Sequence, residues 1–264
     1  DAGDEAVWVV GGSRSDLAPA EHRIEHNVMT RFGRRTRGGH GAIYLDGVGN
    51  RVEANVIRDG PAQAIHFQGN DHVISRNDIS GVVSECGDCG AIYTGMDWTA
   101  RGTCLEGNVV HDVTPASGRP VVAIYIDDAA SGVTARRNVI RGFRRGILVG
   151  GGRDNTITDN TIVGADVFGI LLDARGVTWA ARHVADPASP IRRNLATVPI
   201  DKEPWRSRYP HLVDILSDEP GLPKYNRISG NAFAGGPGLV LSDPSLKRLL
   251  LGSDQVESAA VTAA

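Results

Sequence analysis

Short apolar segments with in–out alternation recur along most of the chain. They read GAIYLD (Gly41–Asp46), QAIHFQ (Gln63–Gln68), GAIYTG (Gly90–Gly95), VAIYID (Val122–Asp127), RGILVG (Arg145–Gly150), FGILLD (Phe168–Asp173) and PGLVLS (Pro237–Ser242). Alternation at period two over so few residues predicts short strands. A second phrase falls between them, each time centred on an Asn: EHNVM (Glu25–Met29), EANVI (Glu53–Ile57), SRNDI (Ser75–Ile79), EGNVV (Glu106–Val110), RRNVI (Arg136–Ile140), TDNTI (Thr158–Ile162) and SGNAF (Ser229–Phe233). The two phrases alternate in a fixed order with a period of roughly 20–30 residues, which is the signature of a solenoid. Asn tolerates the left-handed backbone conformation and bonds locally, so each central Asn predicts a corner whose side chain also reaches the next coil.

Each coil then reads strand, Asn corner, strand, turn, strand. The prediction is an all-β, single-stranded right-handed parallel β-helix in one domain. Its coils cover about 22–173 and 225–243, an excursion covers 175–224, and a bland tail covers 244–264. A β-sandwich is the competing architecture, and the ordered recurrence of both phrases disfavours it. The intervals locate insertions. Asn55 to Asn77 and Asn138 to Asn160 are 22 residues each, whereas Asn77 to Asn108 is 31 and Asn108 to Asn138 is 30. The surplus falls mainly at one corner, near Thr30–His40, Gly81–Cys89 and Asp112–Pro120. Insertions at one corner of a solenoid emerge on one side and wall a binding face. Within the excursion, Tyr209–Leu216 has the pattern of a short amphipathic helix.

If Ile43, Ile65, Ile92, Ile124, Ile147 and Ile170 point inward, alternation turns their successors outward. The outward column is Tyr44, His66, Tyr93, Tyr125, Leu148 and Leu171. The next is Asp46, Gln68, Gly95, Asp127, Gly150 and Asp173. Aromatic faces beside carboxylates suit a sugar, which presents apolar ring faces and hydroxyls. Coils about 4.8 Å apart bring carboxylates from neighbouring coils within the separations glycosidases use. Asp88, Asp97, Asp127 and Asp128 are the catalytic candidates. Tyr44, His66, Tyr93, Tyr125, Arg101, Arg153, Trp98 and His40 are the candidate substrate contacts, with His111 a further one. Trp179, Trp205 and Tyr209 are candidate sugar platforms in the excursion. A divalent cation such as Ca²⁺ shared by Asp127 and Asp128 is an alternative role for those acids.

Composition narrows the field. The 264 residues carry a formal net charge of −3, which gives no broad electrostatic case for nucleic acid. No apolar run is long enough to predict a membrane span. The three cysteines are Cys86, Cys89 and Cys104. A metal held by them with His111 needs more context than one C-x-x-C supplies; a local disulfide or buried thiols is the plainer expectation.

The phrases DCGAIYTGMDWTARG, AIYIDDAASG, GILVGGGRDNTITDN, LLDARG and PWRSRYPHLVDILSDEPGLPKYN resemble bacterial carbohydrate-active β-helix proteins, and their order is similar to glycoside hydrolase family 141. The likeness spans Gly41–Asn231. It implies α-L-fucosidase- or xylanase-like chemistry by two aspartates on neighbouring coils, which here are Asp88 or Asp97 with Asp127 or Asp128. Family members are usually longer, with further coils before this point. The expectation is a secreted or periplasmic glycoside hydrolase acting on a poly- or oligosaccharide. A polysaccharide lyase or uronate epimerase, or a non-catalytic glycan-binding β-helix, are the alternatives, because fold alone does not choose among them.

Overall fold

The computed structural model describes residues 2–113 and 120–254, and the backbone alone of 256–257. Most of the predicted Asp112–Pro120 loop and the end of the tail lie outside the described residues. The described chain winds through three parallel sheets of nine, eight and seven strands. One coil shows the plan. Ile43–Gly47 lies in the first sheet, Arg51–Glu53 in the second and Val56–Arg58 in the third. Each strand pairs in parallel with its counterpart one coil on. Asn55 stands at the corner between the second and third strands, as the phrase order predicts.

The core follows from same-phase residues stacking. Ile43, Ile65, Ile92, Ile124, Ile147, Ile170 and Leu239 pair in register down the first sheet and are fully buried. Val52, Ile74, Leu105, Ala135, Ile157 and Ile228 do the same in the second sheet. Because the side-chain period is two, any slip of one residue would turn a whole column into solvent, so register is strongly specified.

The corner Asn residues form a continuous ladder. The backbone N–H and side-chain Nδ2 of Asn55 both donate to Asn77 Oδ1 at 3.0 Å. Asn77 repeats this on Asn108, Asn108 on Asn138, Asn138 on Asn160 and Asn160 on Asn231. The second amide hydrogen reaches back to a carbonyl of the preceding coil, as Asn108 Nδ2 does to Ile74 at 2.9 Å. At the far end Asn231 donates to the Asp254 carboxylate, which closes the ladder. The left-handed conformation expected of the Asn falls instead on the residue before it: His26, Ala54, Arg76, Gly107, Arg137, Asp159 and Gly230 all have positive φ. The amide is therefore present for its bonds, and its neighbour bears the conformational cost.

The solenoid is longer than the repeat predicts. Val7–Gly11 is a strand of the first sheet, with Trp8 in register on Tyr44, so winding begins before residue 22. Gly252–Ser253 and Val256–Glu257 pair in turn with the preceding coil, so winding also continues into the tail. The excursion after Asp173 holds a 3-10 turn, Arg175–Val177, and four short α-helices, Ala181–Ala185, Pro190–Ala196, Trp205–Arg208 and Pro210–Val213; the last covers part of the predicted Tyr209–Leu216 helix. They fold back along the corner that follows the first-sheet strands. Val184, Ile191, Leu195, Trp205, Tyr209, Leu212 and Ile215 build a second core there against Trp98 and Ala129. Trp205 Nε1 donates to the Arg14 carbonyl at 2.6 Å, so this strap reaches the first coil.

Replacing Asn108 by Ala removes two buried N–H donors and one acceptor and leaves the Asn77 backbone N–H and the Ile74 carbonyl without their Asn108 partner; the expected loss is about 3 kcal/mol. Ala54→Gly relieves a positive φ and is expected to be neutral or to stabilise by up to about 1 kcal/mol. Urea midpoints of the two variants check both, and a harmless Asn108→Ala would refute the ladder's structural role.

Candidate functional site

The outward column of the first sheet is a line of touching rings. Trp8 stacks on Tyr44 at 4.2 Å between centroids. Tyr44 meets His66 edge-on at 5.2 Å, His66 meets Tyr93 at 5.2 Å, and Tyr93 meets Tyr125 at 5.6 Å. Register imposes this: Trp8, Tyr44, His66, Tyr93 and Tyr125 occupy one phase of five successive coils. Polar residues of the adjacent column run beside the rings. Gln68 donates to the Gly95 carbonyl at 3.1 Å, and Tyr93 Oη donates to Asp127 Oδ2 at 2.9 Å. Gly95 is buried beneath Tyr93 and Asp127; a Cβ there would stand 3.0 Å from Tyr93 Oη and 3.1 Å from Asp127 Cβ, so glycine lets the phenol and the carboxylate close over the strand.

Charge converges at the fifth coil. The Arg175 guanidinium, from the first turn of the excursion, reaches back across two coils. Its Nη1 bonds Asp127 and, at 3.0 Å, Asp128 Oδ1, while Nη2 bonds Asp173 Oδ2 at 2.7 Å. Nη1 also lies 3.3 Å from Tyr125 Oη, which donates to Asp88 Oδ1 at 3.2 Å. A hydrogen-bonded chain thus links Asp88 on the loop side to Asp127 on the strap side. Burial raises the proton affinity of Asp127, the adjacent Asp128 charge adds to this, and Arg175 opposes it. Burial and the Asp127 charge likewise keep the Tyr93 phenol protonated far above its ordinary range.

The structure gathers Tyr44, His66, Tyr93, Tyr125, Asp88, Asp127 and Asp128 on this face. His40 stands at its rim, half-exposed and bonded to Glu5 Oε1 at 2.6 Å. Four candidates are corrected. Asp97 is 3% exposed, accepts from the Thr99 N–H at 2.7 Å and hydroxyl at 2.5 Å, and lies 3.6 Å from Arg14. It organises the corner beneath the strap and is closed to substrate. Trp98 is fully buried in the strap's core. Arg101 is spent on the Trp98 carbonyl and Asp154, and Arg153 on Asp218 and the carbonyls of Asp218, Glu219 and Leu222. Trp205 and Tyr209 are buried as anchors, whereas Trp179 is exposed beside Arg175. His111 belongs to the third sheet, between Asp78 and Asp112.

Cys86 and Cys89 are joined in a disulfide in the loop that carries Asp88, and Cys104 is free, so the cysteines do not converge with His111. The cation between Asp127 and Asp128 is the Arg175 guanidinium, in the place a divalent ion would need. Sequence reasoning missed Arg175 and Trp8. Val7-Trp-Val-Val-Gly11 resembles Ile43-Tyr-Leu-Asp-Gly47 at every position but Val10 against Asp46, which is a usable signal for Trp8. Two hollows elsewhere, about 420 Å³ beside Asp71 and Arg208 and about 300 Å³ beside Phe32 and Pro61, contain none of these acids.

Among known families, residues 41–181 match the model described as right-handed beta helix region. The chain belongs to that family. Searches of curated proteins and of solved structures return no significant match. No helix among the described residues is long and apolar enough to cross a membrane.

Burial pushes His66 down from 6.5 to about 4. The fold therefore holds it neutral while the unfolded chain protonates below pH 6.5. Stability attributable to His66 is intact above that pH and is lost as pH falls toward 4, by about 3 kcal/mol. Denaturation midpoints of wild type and His66→Gln across pH 4–7 check this: wild type should lose ground to the variant below pH 6.5, and parallel curves would refute it.

Proposed function

We propose that the chain is a glycoside hydrolase acting on a neutral oligo- or polysaccharide laid along the aromatic line. The observation that carries the reading is the buried Asp127, its proton affinity raised, joined through Arg175 and Tyr125 to the exposed Asp88 at the edge of an open aromatic floor. Asp127 serves as general acid. It gives its proton to the glycosidic oxygen as the bond to the anomeric carbon breaks. Asp88 supports the developing positive charge at that carbon, and water completes the reaction, returning a proton to the carboxylate pair. Tyr93 Oη holds Asp127 in place, and Arg175 binds Asp127, Asp128 and Asp173 together.

The charge balance supports hydrolysis over elimination. A lyase or epimerase needs a free cation to neutralise the uronate carboxylate. Here the cation at the centre, Arg175, is already committed to three carboxylates, and Asp88 adds a fourth beside it. An anionic sugar would meet repulsion, whereas a neutral one meets rings and acceptors. The likeness to glycoside hydrolase family 141 points the same way, with Asp88 and Asp127 in the paired-aspartate role. A secreted or periplasmic location accords with the Cys86–Cys89 disulfide.

Release of reducing ends from neutral xylo-, manno- and fuco-oligosaccharides tests the proposal, with ultraviolet absorbance from uronate polymers as the lyase control. Asp127→Asn and Asp88→Asn should each lower turnover about a hundredfold or more while oligosaccharide affinity persists. Wild-type activity should fall as pH rises through the Asp127 titration. Unsaturated products, or full activity in both variants, would sink the assignment; binding without turnover would leave a glycan-binding module.

A further inference from the structure

The aromatic face is open on one side of the acids and closed on the other. Toward the first coil it carries Tyr93, His66 and Tyr44 and ends on Trp8, which is 60% exposed. In the opposite direction it stops at once. The Arg175 side chain lies across Gly150, where a Cβ would stand 2.6 Å from the guanidinium carbon. The rings of Tyr125 and Trp179 flank that guanidinium at 5.8 Å and 5.3 Å. The same outward column is already buried at Tyr125, 5% exposed, and stays so at Leu148 and Leu171, 7% and 6% exposed, and at a fully buried Val240. Among the described residues, one exposed ring, Trp179, stands past Asp127, and no strip of rings follows it.

From this asymmetry we infer that the groove is blind: it takes one end of a neutral glycan chain, seats the terminal unit on Tyr93 beside Asp88 and Asp127, and leaves the remainder of the chain along His66, Tyr44 and Trp8. The inference rests on the neutral-glycan reading above and adds the direction of binding and the site of cleavage. Short products are released from a single chain end, and Trp8 sets how many units the groove senses. Trp8 contributes an apolar ring face at the distal end, so its weight falls on long chains alone.

The test uses the full chain carrying Asp127→Asn, so that binding is read without turnover. Xylo-, manno- and fuco-oligosaccharides of two to six units are titrated by calorimetry. The best-bound hexasaccharide is then titrated with a bulky fluorophore at its reducing or its non-reducing end. The expected results are affinity that rises with length, an about tenfold weakening by Trp8→Ala for the longest chain and none for the disaccharide, and loss of binding when one end, and not the other, carries the fluorophore. Trp8→Phe should restore most of the affinity. Equal tolerance of both tagged ends, or length dependence unchanged by Trp8→Ala, overturns the blind groove. Wild-type product analysis separates the two ideas. Random internal fragments keep hydrolysis and overturn the blind end, whereas end-selective binding with no turnover keeps the blind end and overturns hydrolysis. Failure to bind any of the neutral glycans overturns both.

Discussion

Stacking in register is the constraint on which everything else in this molecule depends, and the corner amides enforce it. Each Asn from Asn55 to Asn160 donates twice to the Asn one coil on and once to a carbonyl one coil back, so three coils are tied at a single buried side chain. Backbone pairing alone would tolerate a slide by two residues, which keeps the inside–outside alternation. The amide ladder does not, because a slide would leave buried donors and acceptors without partners. Given that lock, residues of one phase become neighbours however far apart they lie in sequence. Tyr93 and Tyr125 meet for this reason, as do Ile92 and Ile124.

The same lock turns a repeated phrase into a site. Neutral phases stack into columns without conflict, but acids in adjacent coils repel. The fifth coil places Asp127 and Asp128 side by side and the seventh adds Asp173. The arrangement is tolerable because a guanidinium joins all three, and the intervening coil supplies glycine at position 150, which leaves room for it. Breaking one partner of such a cluster leaves uncompensated buried charge. Arg175 is therefore as much a condition for the acids to coexist as a participant in what they do.

How much of this was legible in the sequence depends on whether the repeat carried it. The strands, the inward isoleucines, the outward aromatic column and its polar neighbour all follow from phase, and residues such as Tyr44, His66 and Asp127 stand where alternation puts them. Asp97, Trp98, Arg101 and Arg153 were misread because phase says that a corner residue leaves the sheet but not what then covers it. The cover is the excursion, which has no internal repeat, so neither its path nor the burial it imposes is written in any spacing. Arg175 was hidden for the same reason: it belongs to the excursion by sequence and to the acids by reach. The left-handed residue was placed one position late because Asn has two uses at corners, and here its amide bonds, not its backbone tolerance, account for it.

The strap has a consequence for how the molecule comes apart. A stack of coils that touch only their nearest neighbours unzips from its ends, each terminal unit fraying at a cost independent of the rest. Here a segment rooted at the seventh coil is bonded to the first at Arg14, to the third at Asp71 and to the fourth at Met96. Peeling away the amino-terminal coil therefore also exposes the hydrophobic underside of a distant insertion. The cross-tie couples the first coil to the later coils that root the strap, so native-state hydrogen exchange in the amino-terminal coil becomes correlated with exchange in the strap.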